Sequence, residues 1–519
     1  MKKLTKLKNV NFVFLGTSLL MLGISACSSE DVLENVEQEV NYASRDETAN
    51  FEMIFANEKE IAMRDFSIAL VKSLNQSLQF RQIIKNEAEE AINLDPEVLI
   101  YKIKNLGTET GTVESLINSN LSGRNLYDIF EIMPTLTVLV PELPEEEFNA
   151  ENWDTSTEIP AVAVRLFTSN DTPIILSDNS QHVISKEIIP AFPVVVVKEN
   201  ERIISNRQSN FLEIEGDPFF VGENFSFKFS SPYFSKWFLR PFFRNDQKLV
   251  DAYNFSKDIE GWQRDYIYYG IEPANPNGPY TYDYSETIGT MTTEQPQALY
   301  SKISEQTGDP FINPLIHPNH NMSHWKDGGY EFCFRVTSNS KAGAGQAQNF
   351  KFPVRADQLF ELEYERGTGL LGALGYFTFK DISSKSYNPN IPTIGWNLET
   401  KATEFIITIF EEDSTEEINQ SISVDSEFAT NFGIDINLGI SEIVKLGLKF
   451  GGSTKNTRSN SISVKKTLIT DDLGDYVINF QDKVILSETV TGFGNLYPKR
   501  FYGANNGYIK FNYYPKAVQ

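Results

Sequence analysis

Hydrophobic spacing changes character twice along this chain. From about Phe51 to Phe130 apolar residues recur every three or four positions. Phe66, Ala69, Leu70, Leu74 and Leu78, then Ile83, Ile84, Ala88 and Ile92, predict amphipathic helices with one face turned to a core. Leu94-Asp-Pro96 predicts a stop, with Asp95 capping a second short helix from Pro96 to about Lys104. A third helix is expected near Gly123 to Met133, ending before Pro134. After the acidic, proline-punctuated connector Pro141-Glu-Leu-Pro-Glu-Glu-Glu147 the period becomes two, or the runs become short and β-branched. Pro160 to Phe167, Ile174 to Leu176 and Phe192 to Val197 read as strands. A linker is expected from about Ile203 to Asp217. Beyond it Phe225, Phe227 and Phe229 alternate, and Tyr233, Phe234, Trp237, Phe238, Phe242 and Phe243 follow closely. From Tyr330 onward strands alternate with Gly, Asn and Asp turns.

These patterns predict an α+β multidomain chain, a small N-terminal helical domain followed by predominantly antiparallel β-sandwich domains. The expected boundaries are 51–140 for the helical domain and 155–205 for a short β segment packed with it. An aromatic-rich β domain over 217–330 and a C-terminal β-sandwich over 331–519 follow. Large rings in such a domain fill a core first, each burying on the order of 150–250 Å².

The first residues carry an address. Lys2, Lys3, Lys6 and Lys8 precede an apolar run from Phe12 to Leu22, too short to span a bilayer as a helix. The following Leu22-Gly-Ile-Ser-Ala-Cys27 resembles a bacterial lipobox. That resemblance implies a signal peptide over 1–26, a diacylglycerol thioether on Cys27 Sγ and an acidic tether over 27–50. Ser28-Ser-Glu-Asp-Val-Leu-Glu34 resembles the surface-export signals of Bacteroidota-type lipoproteins. The implied location is the outer membrane, facing the cell surface, with a periplasm-facing protein as the alternative. Residues of about 50–205 also resemble a family of secreted bacterial lipoproteins of unknown function, a likeness that implies no activity.

Charge narrows the partners. The 519 residues carry a net charge of −24. Residues 1–26 hold four lysines and no acids, so their removal leaves −28. Such a body repels phosphate backbones, which argues against nucleic acid. Cysteine is scarce: with Cys27 lipidated, only Cys333 remains, so no internal disulfide holds the fold. Cys333 sits in Tyr330-Glu-Phe-Cys-Phe-Arg-Val336, where alternation predicts an inert, buried thiol.

Candidate chemistry is sparse. His317, His320 and His324 are spaced so that they could hold a transition metal, in a proline-bounded loop that excludes the helical zinc-protease motif; a polar loop whose histidines meet water or cap turns is the other reading. A metal-dependent hydrolase is therefore one alternative, although no cofactor is otherwise implied. Asp471-Asp-Leu-Gly-Asp475 reads as a turn, and Gly367 to Gly375 as a tight hairpin. Trp262, Tyr266, Tyr268 and Tyr269 cannot all face inward on one strand, which makes them the candidate exposed rings for a glycan. Between Ile422 and Val464, Phe432, Ile434, Ile436, Leu438 and Ile440 alternate with polar residues or glycine, and Val444, Leu446, Leu448 and Phe450 repeat the pattern. This stretch over 422–466 resembles the insertion segments of aerolysin-like pore-forming proteins, which implies an amphipathic membrane hairpin. One half-buried antiparallel sheet demands the same alternation. The favoured role is non-enzymatic binding or envelope scaffolding by a lipid-anchored protein whose partner is a glycan or an envelope protein.

Overall fold

The computed structural model describes residues 51–207, 218–238, 247–257, 262–272, 278–303, 328–340, 346–398, 401–412, 471–486 and 507–518. All lie in one compact unit running from Asp46. Helices and several mainly antiparallel sheets make the fold mixed α+β.

Two helices open it, α1 (Glu58–Gln76) and α2 (Leu78–Glu90). Asn57 caps α1 by accepting from Glu60 N, and Ser77 caps α2 by accepting from Phe80 N. Glu60, fully buried, accepts from the backbone N–H of Ala56, Phe167 and Thr168, tying the start of α1 to a distant loop. The chain then departs from expectation. Glu97–Leu99 is a strand, β1, and only Ile100–Ile103 makes a helical turn, α3. Asp95 caps nothing, because a long-range charge claims it, as described below. A small hairpin of β2 (Gly107–Thr108) and β3 (Gly111–Thr112) precedes α4 (Val113–Asn120), which the sequence pattern did not reveal. The third expected helix is α5 (Leu126–Ile132), capped by Asn125.

These helices pack on a six-stranded sheet whose members are scattered along the chain. Its order is β1, β4 (Leu136–Leu139), β9 (Val194–Glu199), β5 (Ala161–Val164), β6 (Thr172–Ile175) and β7 (Gln181–Ile184). Only the β5–β9 pair is parallel. Val194 to Val197 are all fully buried, as a central strand covered on both faces requires. The remaining N-terminal strand, β8 (Ile188–Pro190), leaves this sheet and pairs with the distant residues Tyr376–Thr378.

The expected linker from Ile203 is instead β10 (Ile203–Arg207), the edge of a three-stranded sheet with β12 (Phe225–Phe229) and β11 (Phe220–Val221). Phe225 and Phe227 fold their rings around Tyr101. The segment read as an aromatic β domain holds three helices: α6 (Gln247–Ser256), α7 (Gln263–Tyr269) and α8 (Pro296–Ile303). Its long strand is β13 (Tyr284–Thr292).

Long antiparallel strands dominate the rest. β15 (Gln346–Arg355), β14 (Gly329–Ser340), β19 (Lys401–Glu411) and β20 (Asp471–Asn479) form one sheet, in that order. β18 (Ile391–Pro392), β13 and β21 (Lys510–Ala517) form another. The one-turn helix α9 (Ala356–Leu359) leads into β16 (Phe360–Leu370), which turns tightly into β17 (Leu374–Ser384); β8 pairs on the other side of β17. The hairpin turn puts Leu371 and Gly372 at positive φ, which explains the glycine-rich sequence there. Asp471 to Asp475 opens β20 rather than turning, with a bulge at Gly474, whose φ is +132°. Trp396 anchors the shared core, stacked 3.8 Å from Phe405, and Phe511 meets Phe334 edge-on. Cys333 on β14 is buried, and burial pushes its thiol up and out of the reactive range.

Candidate functional site

The rings proposed for a glycan lie on the short helix α7 and not on a strand. Helical spacing turns Tyr268 and Tyr269 into the core, 0% and 2% exposed. Tyr268 donates to Glu286 Oε1 at 3.1 Å, and the Tyr269 hydroxyl accepts from Leu398 N at 2.7 Å. Trp262 and Tyr266 are half-buried against the same core. The pull that sets this helix is Arg264, fully buried, whose fork meets Glu286 at 2.7 and 3.0 Å beneath Trp396. Two of the four rings and both of their hydroxyls are thus spent on packing. Next to Arg264, Asp265 has neither carboxylate oxygen hydrogen-bonded, and burial raises its pKa to about 8.

Cys27, the histidines His317, His320 and His324, and the 422–466 segment lie outside the described residues. Among the described residues no cluster of His, Cys, Asp or Glu could hold a metal ion, and no helix is long and apolar enough to cross a membrane.

A cleft of about 330 Å³ opens where the six-stranded sheet meets the C-terminal strands. Its floor is Asp95, just before β1, together with Gly328 and Tyr330 at the start of β14. One wall is the connector from Pro141 to Pro144; the other runs from Arg355 through α9 to Tyr364 on β16, with Tyr300 of α8 and Lys385.

The floor is built on a buried ion network. Arg202 donates from Nε to Glu331 Oε1 at 2.5 Å, from Nη1 to the Asn93 carbonyl at 2.8 Å and from Nη2 to the Gly329 carbonyl at 2.9 Å. Its Nη2 also lies 2.7 Å from Asp95 Oδ2, which accepts from Gly329 N at 2.9 Å. Burial alone would lower the Arg202 pKa, but Asp95, Glu331, Glu97 and Glu201 together raise it, so the guanidinium stays charged. Burial pushes Glu331 well above the usual carboxylate range despite Arg202, which favours its neutral form. Beside them Lys198 bridges Glu97, at 2.7 Å, and Glu201. Burial would raise Glu201, yet Lys198 and Arg165 hold it at about 2. Gly328 has to be glycine here: a Cβ would sit 2.3 Å from Asp95 Oδ2.

The rim carries a second arginine. Arg355 donates from Nη1 to Glu142 Oε1 at 2.9 Å and from Nη2 to Glu142 Oε2, while its Nε reaches Asp357 Oδ1 at 3.1 Å. These bonds raise the Arg355 pKa against the effect of burial. Lys385 Nζ donates to the Asp357 carbonyl at 3.3 Å.

No family model, curated protein or solved structure matches the chain. The chemistry of the cleft therefore stands on its own geometry.

That geometry is aromatic and only partly satisfied. Tyr300 meets Tyr330 edge-on, with ring centroids 6.4 Å apart, and stacks over Phe379 at 6.2 Å. Tyr364, half-buried, meets Phe379 edge-on from β16. Its hydroxyl makes no hydrogen bond among the described residues, and burial raises its pKa. Asp95 Oδ1 likewise makes no hydrogen bond among the described residues, although Asp95 is only 2% exposed. Two polar groups at the cleft thus lack hydrogen-bond partners among the described residues, an arrangement suited to orienting a small polar ligand. Sequence reasoning had one usable signal for this site, the connector Pro141–Glu147, which it took for a spacer.

Proposed function

We propose that the chain is a lipid-anchored cell-envelope protein, held in the outer membrane through Cys27 and facing outward, whose body binds a glycan without catalysis. The observation that carries the binding role is the cleft wall of Tyr300, Tyr330 and Tyr364, with the Tyr364 hydroxyl and Asp95 Oδ1 unspent. The half-buried Tyr364 ring suits a C–H face of a sugar, and the two polar atoms suit its hydroxyls. The finer fold reading goes with it. A C-terminal β-sandwich is supported by the core that the β13–β21 and β14–β19 sheets share, and an N-terminal helical layer by α1 to α5.

The test is a glycan array probed with the full chain in detergent, alongside Tyr364→Ala. Saturable glycan binding that the variant loses is the expected outcome; identical profiles for the two proteins would remove the cleft from the function. Protease shaving of intact cells, with Cys27→Ala as control, tests the location. Loss of the full-length band supports the surface, whereas protection until the outer membrane is opened would place the protein in the periplasm.

A pore-forming reading is favoured by one observation. β19 and β20 are paired neighbours, with Glu411 opposite Asp471, so residues 413–470 leave and re-enter the sheet at one point. A hairpin drawn from 422–466 would continue an existing antiparallel pair. Dye release from liposomes and detergent-resistant oligomers are its signature, and the lack of both would end it.

A further inference from the structure

We infer that the cleft takes a neutral, hydroxyl-rich sugar end and rejects acidic sugars. This rests on the glycan reading above and names the class of sugar it takes.

The argument is an inventory of charge and of unspent hydrogen-bonding atoms. Two cations line the cleft, and both are already engaged. Arg355 directs all three of its nitrogens at Glu142 and Asp357, and Lys385 reaches the Asp357 carbonyl. The guanidinium behind the floor, Arg202, is spent on Asp95, Glu331 and two backbone carbonyls. Against the two lining cations stand four lining carboxylates, Asp95, Glu142, Asp357 and Glu361. A uronate or sialate carboxylate would enter an excess of negative charge and could reach only Lys385, which makes a single bond to a backbone carbonyl, without displacing an internal carboxylate. Breaking the charge-assisted Arg355 fork is costly, because the displaced carboxylate loses its own partner.

The groups left over ask for the opposite chemistry. An ionised Asp95 Oδ1 can only accept a hydrogen bond, whereas the Tyr364 hydroxyl can accept or donate. A sugar hydroxyl can donate to the first, and another can accept from the second. The half-buried ring of Tyr364 provides the apolar bed, backed by the buried rings of Tyr300 and Tyr330. At about 330 Å³ the space is at the small end of ligand pockets, which fits a chain end rather than a long internal segment.

The experiment is calorimetric titration of the full chain in detergent at low salt with glucose, galactose, mannose, N-acetylglucosamine, glucuronic acid and N-acetylneuraminic acid. At least one neutral sugar is expected to bind saturably, with both acids at least about tenfold weaker. Tyr364→Phe removes one oxygen and leaves the ring in place, and should weaken the neutral sugar by up to about tenfold. An acidic sugar that binds as tightly and is weakened by Tyr364→Phe would overturn the class while leaving the cleft as the glycan site. Neutral sugars that bind equally well to wild type and variant would move the site elsewhere and overturn this inference. No binding of any sugar in the panel would overturn it too, and the wider glycan array then decides whether the binding role itself survives.

Discussion

The two buried arginines solve the same problem in different ways. Arg264 sits beneath Trp396 and meets Glu286 in a two-bonded fork, topped up by the carbonyls of Asn479 and Asp482. Arg202 sits among several carboxylates, and only part of their oxygen is used. The first is a core clamp with nothing left over. The second borders the cleft and leaves Asp95 Oδ1 without a hydrogen bond among the described residues. Surplus acceptors, rather than the arginine itself, separate a structural centre from one that can greet a ligand.

The largest effect should come from opening the closed clamp. Arg264→Met strands Glu286 in the core and is expected to cost about 3–5 kcal/mol by denaturant unfolding. Arg202→Met should cost less, because burial already favours the neutral form of Glu331 and Lys198 still holds Glu97 and Glu201. Equal losses would mean that the surplus of carboxylates does not cushion the second centre.

A middle-sized effect should follow pH at the clamp's neighbour. The Asp265 pKa is raised to about 8 in the fold, far above an ordinary Asp. Between those two values the folded chain holds a proton that the unfolded chain has released. Stability therefore falls as pH rises, and the contribution is complete only below the unfolded pKa. Asp265→Asn should abolish about 2–3 kcal/mol of wild-type loss between pH 5 and pH 7, read from denaturant midpoints at both. Parallel pH profiles for the two proteins would refute the raised pKa.

The smallest shift is expected at the cleft floor. Gly328→Ala places a Cβ against the Asp95 carboxylate and should cost about 1–3 kcal/mol, with sugar binding weakened at the same time. Unchanged melting would show that the floor can yield, and that Asp95 is held less firmly than its partners imply.

What could be read from the chain follows the range of the forces involved. The run Val194–Val197 announced a strand, and alternation announced β12 and β14, because each pattern is local and its burial follows from it. The caps at Asn57 and Ser77 are equally local. Asp95 misled, since Asp before Pro reads as a cap while its actual partners are Arg202 and Gly329, far along the sequence. Ile203–Arg207 looked like a linker because its strand partner, β12, lies beyond the next stretch of chain. The tyrosines of α7 favour strands by type, yet the Arg264–Glu286 fork and the shared core hold them in a helix. The cleft was invisible for a similar reason. Its lining runs from Asp95 to Lys385 through segments with no pattern in common.

The pairing of β8 with β17 also sets a timetable. Ile188–Pro190 emerges during synthesis long before Tyr376–Thr378, the residues that pair with it. Arg202 likewise waits for Gly329 and Glu331. The amino-terminal half therefore spends its early life with an open strand edge and an incompletely paired buried charge, the kind of species that sticks to its neighbours. A chain with this wiring has reason to meet a chaperone while it folds, and truncation after the first half should give aggregates rather than a smaller folded protein.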